Sequence, residues 1–284
     1  MTHMSIIIPT YNKAPLLCDI LLDLNRQVYK DFEVVVVDDG STDDIIEQLK
    51  TIDVKYPLQV LETGLTGQFG MCKGINVGIA HARSPLTLLL NDDIYLHPDC
   101  VKHHIIAHKR TKARHVFVGP RFKCPPFDFG EKVASKQLRR RQTKKYTEDT
   151  PGVSGYRIYR EKMMVSSNVS LATRKLRRLG GYNEIFNMYT GDIDREFHRR
   201  VANKHMRVLY LWRAQAFAVR YEHELYAKTK WVAGDSLRNG AEIVAWKYSQ
   251  SSRAKRDRQL IRALQNVPKE IEKSDESPII DRCN

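Results

Sequence analysis

The sequence predicts an α/β fold in which helices cover both faces of a mostly parallel sheet. Three observations carry this. Apolar, β-branched runs recur through the first hundred residues, stretches with apolar residues at helical spacing separate them, and carboxylates cluster directly after two of the runs. A run apolar on both faces needs cover on both sides, and strands alternating with helices read as crossover units of a parallel sheet.

The elements follow in order. Residues 5–9 (Ser5-Ile6-Ile7-Ile8-Pro9) form a short buried strand that ends at proline. Residues 14–26 carry Leu16, Leu17, Ile20, Leu21 and Leu24 at helical spacing. Residues 32–37 are a second apolar strand, closed by Asp38-Asp39-Gly40-Ser41, and residues 42–50 read as a helix. A third strand over 58–61 leads into a glycine-rich loop at 64–70 and a helix over 71–82. A fourth strand over 87–90 ends in Asn91-Asp92-Asp93. A helix is expected over 100–110 and a strand over 116–120. Residues 122–154 have no clean period and read as a long loop, 157–171 as extended chain. Short helices over 174–179 and 192–202 flank Gly180-Gly181-Tyr182-Asn183-Glu184, and 207–211 is a strand. The expected organisation is one domain over 1–250, with a first half over 1–100 and a second half over 101–250. A charged helix or tail follows over 251–284.

Composition narrows the function. The chain has 284 residues and a formal net charge of +14. The first hundred residues hold 7 basic and 14 acidic side chains, while residues 101–145 hold 14 basic and 2 acidic. Such a pI suggests a nucleic-acid binder, but the acidic first third argues against one basic face, and no nucleic-acid partner is expected. No apolar run reaches the ~18–20 residues of a membrane span, and the start lacks a basic, cleavable leader. Five cysteines without a CxxC pair fit a reducing cytoplasm.

Strand ends are where ligands bind in open α/β sheets. Pro9-Thr10-Tyr11-Asn12 offers a ring and an amide suited to a planar base, or simply a strand-to-helix turn. Asp39 can accept from a base N–H or a ribose hydroxyl, or belong to a turn capped by Ser41 or Thr42. Adjacent Asp92 and Asp93 repel one another and must be solvated, paired or metal-bound, and oxygen ligands suit Mg²⁺ or Mn²⁺ held with substrate phosphates. Asp192 opens a helix, either as a cap or as a general base, and His223 is a surface residue or a ligand.

Together and in order, these stretches resemble the glycosyltransferase family 2 enzymes and their GT-A fold. The matching pieces are Ser5 to Asn12, Val34 to Asp43, Gly74 to Ala80, Leu89 to Asp93, and Leu179 through Asp194, so the resemblance covers about residues 4–225. It implies an inverting hexosyl- or N-acetylhexosaminyltransferase. A nucleotide-diphosphate sugar, with a uridine nucleotide favoured, would donate to a hydroxyl acceptor such as a glycan, with Mn²⁺ or Mg²⁺ as cofactor. By that resemblance Pro9, Thr10, Tyr11, Asn12, Asp39, Lys73 and Asn76 line the nucleotide-sugar site. Asp92 contacts ribose or sugar, Asp93 binds the metal, Asp192 is the base and His223 a further metal or phosphate contact. The chain departs from the family pattern at Asn91, where an acid is common, at Gly191, where a Glu is usual, and at Ile75, where an Arg is usual.

Two rivals stand beside this reading. A nucleotidyltransferase would usually show a glycine-rich phosphate loop with a basic residue directly after the first strand, which Pro9-Thr10-Tyr11-Asn12 is not. A nucleic-acid binder would use the basic stretch, where aromatics precede the densest cations rather than alternate with them. The run at 136–145 has three readings: a solvated loop, a peripheral contact with an anionic membrane at about 1 kcal/mol per cation, or a guide for an acidic acceptor.

Overall fold

A computed structural model of the chain describes residues 2–65, 70–124, 156–158, 166–188 and 193–219. The basic run at 136–145, Asp192, His223 and the tail expected from 251 lie outside the described residues.

The order is β1 (Met4–Thr10), α1 (Ala14–Leu24), β2 (Phe32–Asp38), α2 (Ile45–Lys50), β3 (Leu58–Glu62), α3 (Met71–His81), β4 (Leu86–Leu89), β5 (Ile94–Leu96), α4 (Cys100–Arg110) and β6 (Val116–Val118). Then come β7 (Arg121–Cys124), β8 (Tyr156–Ile158), β9 (Val169–Ala172), α5 (Thr173–Arg178), a 3₁₀ turn at Glu184–Met188, α6 (Ile193–Asn203), β10 (Val208–Leu211) and β11 (Ala216–Val219). The large sheet runs β3-β2-β1-β4-β9-β6-β10-β8. Strands β1 to β4 are parallel to one another and β6 is parallel to β10, while β9 and β8 run antiparallel to their neighbours. This is the mostly parallel sheet that the sequence predicts.

Strand alternation assigns the two faces. Met4, Ile6 and Ile8 of β1 pack with Val34 and Val36 of β2 against Leu17 and Leu21 of α1 and Val101 and Ile105 of α4. Ile7, Val35 and Val37 point to the other side, against Ile75 and Ile79 of α3 and Phe197 and Val201 of α6. Each such side chain contributes about 1.5–3 kcal/mol when fully buried.

Helix α3 lies unusually close to the strands because glycines line one of its faces. A Cβ on Gly78 would fall 2.4 Å from Ile7 Cγ2, and one on Gly74 would fall 3.3 Å from Pro9 Cβ. The spacing Gly70, Gly74, Gly78 puts all three on one face, so the helix start rests directly on the carboxyl ends of β1 and β2.

The sequence reading missed a small sheet, β5-β11-β7. It packs Tyr95, Phe122 and Phe217 on Leu16 and Ile20 of α1. Its strands are three or four residues long, too short for a period to show. Residues 122–124, expected as loop, belong to β7, and α2 begins at Ile45 rather than 42.

A buried polar chain holds α4 to β9. Asn168 Nδ2 donates to Ala214 O (2.8 Å), so its Oδ1 accepts from His104 Nε2 (2.9 Å). His104 Nδ1 then accepts from Ser170 Oγ (2.7 Å), which accepts from His108 Nε2 (2.8 Å). This sequence of donors requires a neutral His104, whose Nδ1 accepts, while burial is what keeps His108 neutral. Burial lowers His104 to about 4, against the pull of Asn168, and His108 to about 3, with the neighbouring His104 adding to the effect. Folded values below the unfolded value mean that this stability is complete above about pH 6.5 and is lost as pH falls toward the folded values. The raised carboxyls described below act in the opposite sense, so the comparison is between variants. His108→Gln keeps a donor for Ser170 and removes one titration. Its urea-unfolding free energy is expected to gain on wild type by about 1.4 kcal/mol per pH unit below pH 6.5. Parallel pH curves for the two proteins would contradict this.

Candidate active site

The carboxyl ends of β1, β2 and β4 bring the sequence-selected residues together. Strand β1 pairs with β2 through Thr10↔Asp38 and with β4 through Ile7↔Leu89. Tyr11, Asp39 and Asp92 therefore leave the sheet side by side, at the end where open α/β folds bind ligands.

Asp39 is 1% exposed. Its backbone N–H bonds Thr10 O at 2.9 Å, and its Oδ2 accepts from the Gly70 N–H. Its Oδ1 is buried without a hydrogen-bond partner among the described residues, as is Thr10 Oγ1. Burial pushes the Asp39 carboxyl up to about 6, although the Gly70 N–H, the Thr63 hydroxyl and the Lys73 charge pull it down. An unmade bond on a buried acceptor costs about 1–3 kcal/mol, a cost that a donor reaching this oxygen would relieve.

Asn12 works locally. Its φ is +52°, in the left-handed region that Asn tolerates. Its Oδ1 accepts from Thr42 N (2.7 Å), while its own N–H bonds Ser41 Oγ (2.9 Å). It ties the loop after β1 to the loop after β2. Pro9 packs on α3 at the Gly74 contact.

Asn76 also braces. Its Oδ1 accepts from Tyr182 N (2.7 Å), and its Nδ2 donates to Tyr182 O and Glu184 Oε1, both at 2.8 Å. The Gly180-Gly181 turn packs so closely that a Cβ on Gly181 would lie 2.3 Å from Asn76 Oδ1. Lys73 is half-buried, and its backbone N–H bonds Asn187 Oδ1 at 3.1 Å. Ile75, at the position where the family usually has Arg, is 1% exposed in the core and supplies no cation.

The Asp92-Asp93 pair has partners the sequence reading did not select. Lys13 Nζ donates to Asp92 Oδ1 at 2.8 Å, with the two side chains 8% and 10% exposed. Asp93 Oδ1 is buried without a partner among the described residues. Burial raises the Asp93 carboxyl, Lys13 and Arg121 pull it down and Asp92 pushes it up. Arg121 also draws down Asp194, so one guanidinium serves carboxyls from two parts of the site. The Asp194 carboxyl is raised by burial and bonded by Ser166 N at 3.0 Å and by the Ser166 hydroxyl. The only sequence signal for Lys13 is a cation beside Asn12 at a helix start. Arg121 carries none, because its neighbours in space come from β4 and α6.

Asp192 directly precedes Ile193, where α6 begins. The stack of Phe197 on Tyr182 (centroids 4.4 Å apart) and the two bonds from Arg200 Nη1 to Leu179 O (2.6 Å) and Gly181 O (2.7 Å) anchor that helix beside the Asn76 brace.

Among the described residues no group of three His, Cys, Asp or Glu side chains could hold a metal ion. A site using one carboxylate and substrate phosphates needs no such group, and the unpartnered Asp93 oxygen fits it.

A family model described as glycosyl transferase family 2 matches residues 5–165, more than half of the chain. The chain belongs to glycosyltransferase family 2. It is 34% identical over 109 residues to an uncharacterized glycosyltransferase, YfnE, of Bacillus subtilis, a match covering 38% of this chain and 27% of the relative. It is 33% identical over 104 residues to the poly(ribitol-phosphate) beta-N-acetylglucosaminyltransferase TarS of Staphylococcus aureus, covering 36% of this chain and 18% of TarS. The matched stretches thus span under a third of either relative.

The fold agrees. TarS 1–349 in complex with UDP-GlcNAc superposes with a TM-score of 0.64 at 19% identity, over 88% of this chain and 68% of that one. A Pyrobaculum calidifontis mannosyltransferase in complex with GDP-Man and Mn²⁺ gives 0.55 at 17% identity, over 79% and 59%. The mixed sheet with its covering helices is the GT-A fold of these glycosyltransferases. No helix among the described residues is long and apolar enough to cross a membrane.

Proposed function

We propose that this glycosyltransferase moves a sugar from a UDP-linked donor to an acceptor hydroxyl, with inversion at the anomeric carbon. The observation that carries the reading is a pair of buried carboxylate oxygens, on Asp39 after β2 and Asp93 after β4, that have no hydrogen-bond partner among the described residues. One suits the N–H of a planar base and the other a cation beside a diphosphate.

Tyr11 supplies a ring for the base, and Asp39 Oδ1 accepts from the base imide N–H. Asp92, fixed by Lys13, takes a ribose or sugar hydroxyl. Asp93 would hold a divalent cation, Mn²⁺ or Mg²⁺, whose charge offsets that developing on the leaving diphosphate. Asp192 takes the acceptor proton as the acceptor oxygen bonds to C1; the C1–O bond to the diphosphate breaks and its electron pair leaves on the nucleotide. Attack from the face opposite the leaving group gives inversion. Holding both substrates in line supplies much of the remaining rate.

The residues after position 100 carry the whole excess of positive charge, which supports an anionic glycan or polyol acceptor. The poly(ribitol-phosphate) in the name of TarS points the same way.

Incubating the protein with a panel of nucleotide sugars, in Mn²⁺ and in EDTA, tests the reading through nucleotide release. Release from a UDP-sugar that stops in EDTA is expected; release from none of the panel would contradict it. Asp39 adds a pH signature. Its carboxyl must be ionised to accept from the base, and it protonates near pH 6. Uridine affinity, read by NMR titration, is expected to be level above about pH 7 and to fall about tenfold per unit well below pH 6. A pH-independent affinity would remove Asp39 from base recognition.

A further inference from the structure

We infer that Lys13 is a positioning residue that governs how the Asp92-Asp93 pair receives a divalent cation. It locks Asp92 into an ion pair and leaves Asp93 as the carboxylate open to the ion. The inference rests on the reading of this site as a metal-assisted nucleotide-sugar site.

Three observations support it. The Lys13 ammonium lies 2.8 Å from Asp92 Oδ1, with both side chains at least nine-tenths buried. A buried pair of this kind holds its geometry, because separating it would leave an uncompensated charge. Asp93 Oδ1, one residue on, has no partner among the described residues. The backbone at Lys13 is fixed as well. It is the residue before α1, the next N–H (Ala14) bonds Asp43 Oδ2 at 2.9 Å, and Leu17 N bonds Lys13 O at 2.9 Å. The ammonium is thus held on Asp92, and its charge also draws on the Asp93 carboxyl.

The physical consequence is a weakened metal site. A carboxylate oxygen that accepts from an ammonium gives less electron density to a metal, and a buried monovalent cation repels a divalent one. Lys13 therefore makes Asp92 an acceptor for sugar or ribose hydroxyls and makes cation binding lean on the diphosphate.

The test is Mn²⁺ binding to the purified full chain, read by electron paramagnetic resonance with Mn²⁺ alone and with Mn²⁺ plus UDP. Lys13→Met is expected to bind Mn²⁺ alone about tenfold or more tightly than wild type, and to narrow the gain that UDP brings. Lys13→Arg keeps the charge and is expected to stay near wild type. Lys13→Met combined with Asp92→Asn removes both charges of the buried ion pair and keeps the test open where the single variant is unstable. It is expected to lose the tightening, since the second carboxylate is gone. A natively folded Lys13→Met protein that binds Mn²⁺ no more tightly than wild type would overturn the inference. So would a double variant that binds as tightly as Lys13→Met. A residue that merely props up the fold would shift the melting temperature in these variants and leave the order of Mn²⁺ affinities unchanged. Metal-dependent turnover by wild type reports on the proposed function separately, so failure of one is not mistaken for failure of the other.

Discussion

Asp93→Ala is expected to abolish the Mn²⁺ dependence of UDP binding and to lower sugar transfer about a hundredfold or more, the scale of losing one electrostatic contact to a leaving group. The expectation follows from the Asp93 oxygen at the exit of β4, which has no partner among the described residues. The control is EDTA. It should cut UDP affinity in wild type, measured by calorimetry, and change nothing further in the variant. The fold should survive, because the buried ion pair of the exit uses Asp92 and Lys13. If Asp93→Ala keeps the full response to Mn²⁺, the cation sits elsewhere.

Asp192→Asn carries the second large effect. Loss of a general base costs about 10²- to 10⁴-fold in rate, and the amide is close to the carboxylate in shape. Transfer is expected to fall on that scale while UDP affinity stays within about twofold, because the base touches the acceptor rather than the nucleotide. Near wild-type transfer with intact donor binding would take the base role from Asp192. The contrast with Asp93→Ala separates the two: one variant loses metal-dependent binding, the other only the chemical step.

Much of the fold over the first hundred residues was legible in the sequence. The apolar runs of β1, β2 and β4 are buried on both faces, so their composition marked them without a period. Their ends carry Tyr11, Asp39, Asp92 and Asp93 within a few residues, and a parallel sheet must bring those ends together. The small sheet was not legible, since β5 is three residues that follow directly on Asp93. The sequence marks β9 only as part of an extended stretch; its place between β4 and β6, running against both, rests on pairings across 51 to 86 residues of chain. Asn76 shows a different limit. A motif position marked it for ligand contact, whereas its amide bonds the backbone of Tyr182 on both sides. Lys13 and Arg121 were missed because their meaning depends on Asp92, Asp93 and Asp194, which lie far off in sequence.

The central claim is one metal-assisted nucleotide-sugar site at the carboxyl ends of β1, β2 and β4. A crystal structure of the protein with UDP and Mn²⁺, the ion located by its anomalous scattering, tests it most directly. The account predicts the base beside Tyr11, with its imide N–H on Asp39 Oδ1, and the Mn²⁺ signal at the Asp93 carboxylate. Nucleotide bound away from Asp39, or Mn²⁺ with no contact to Asp93, would contradict it.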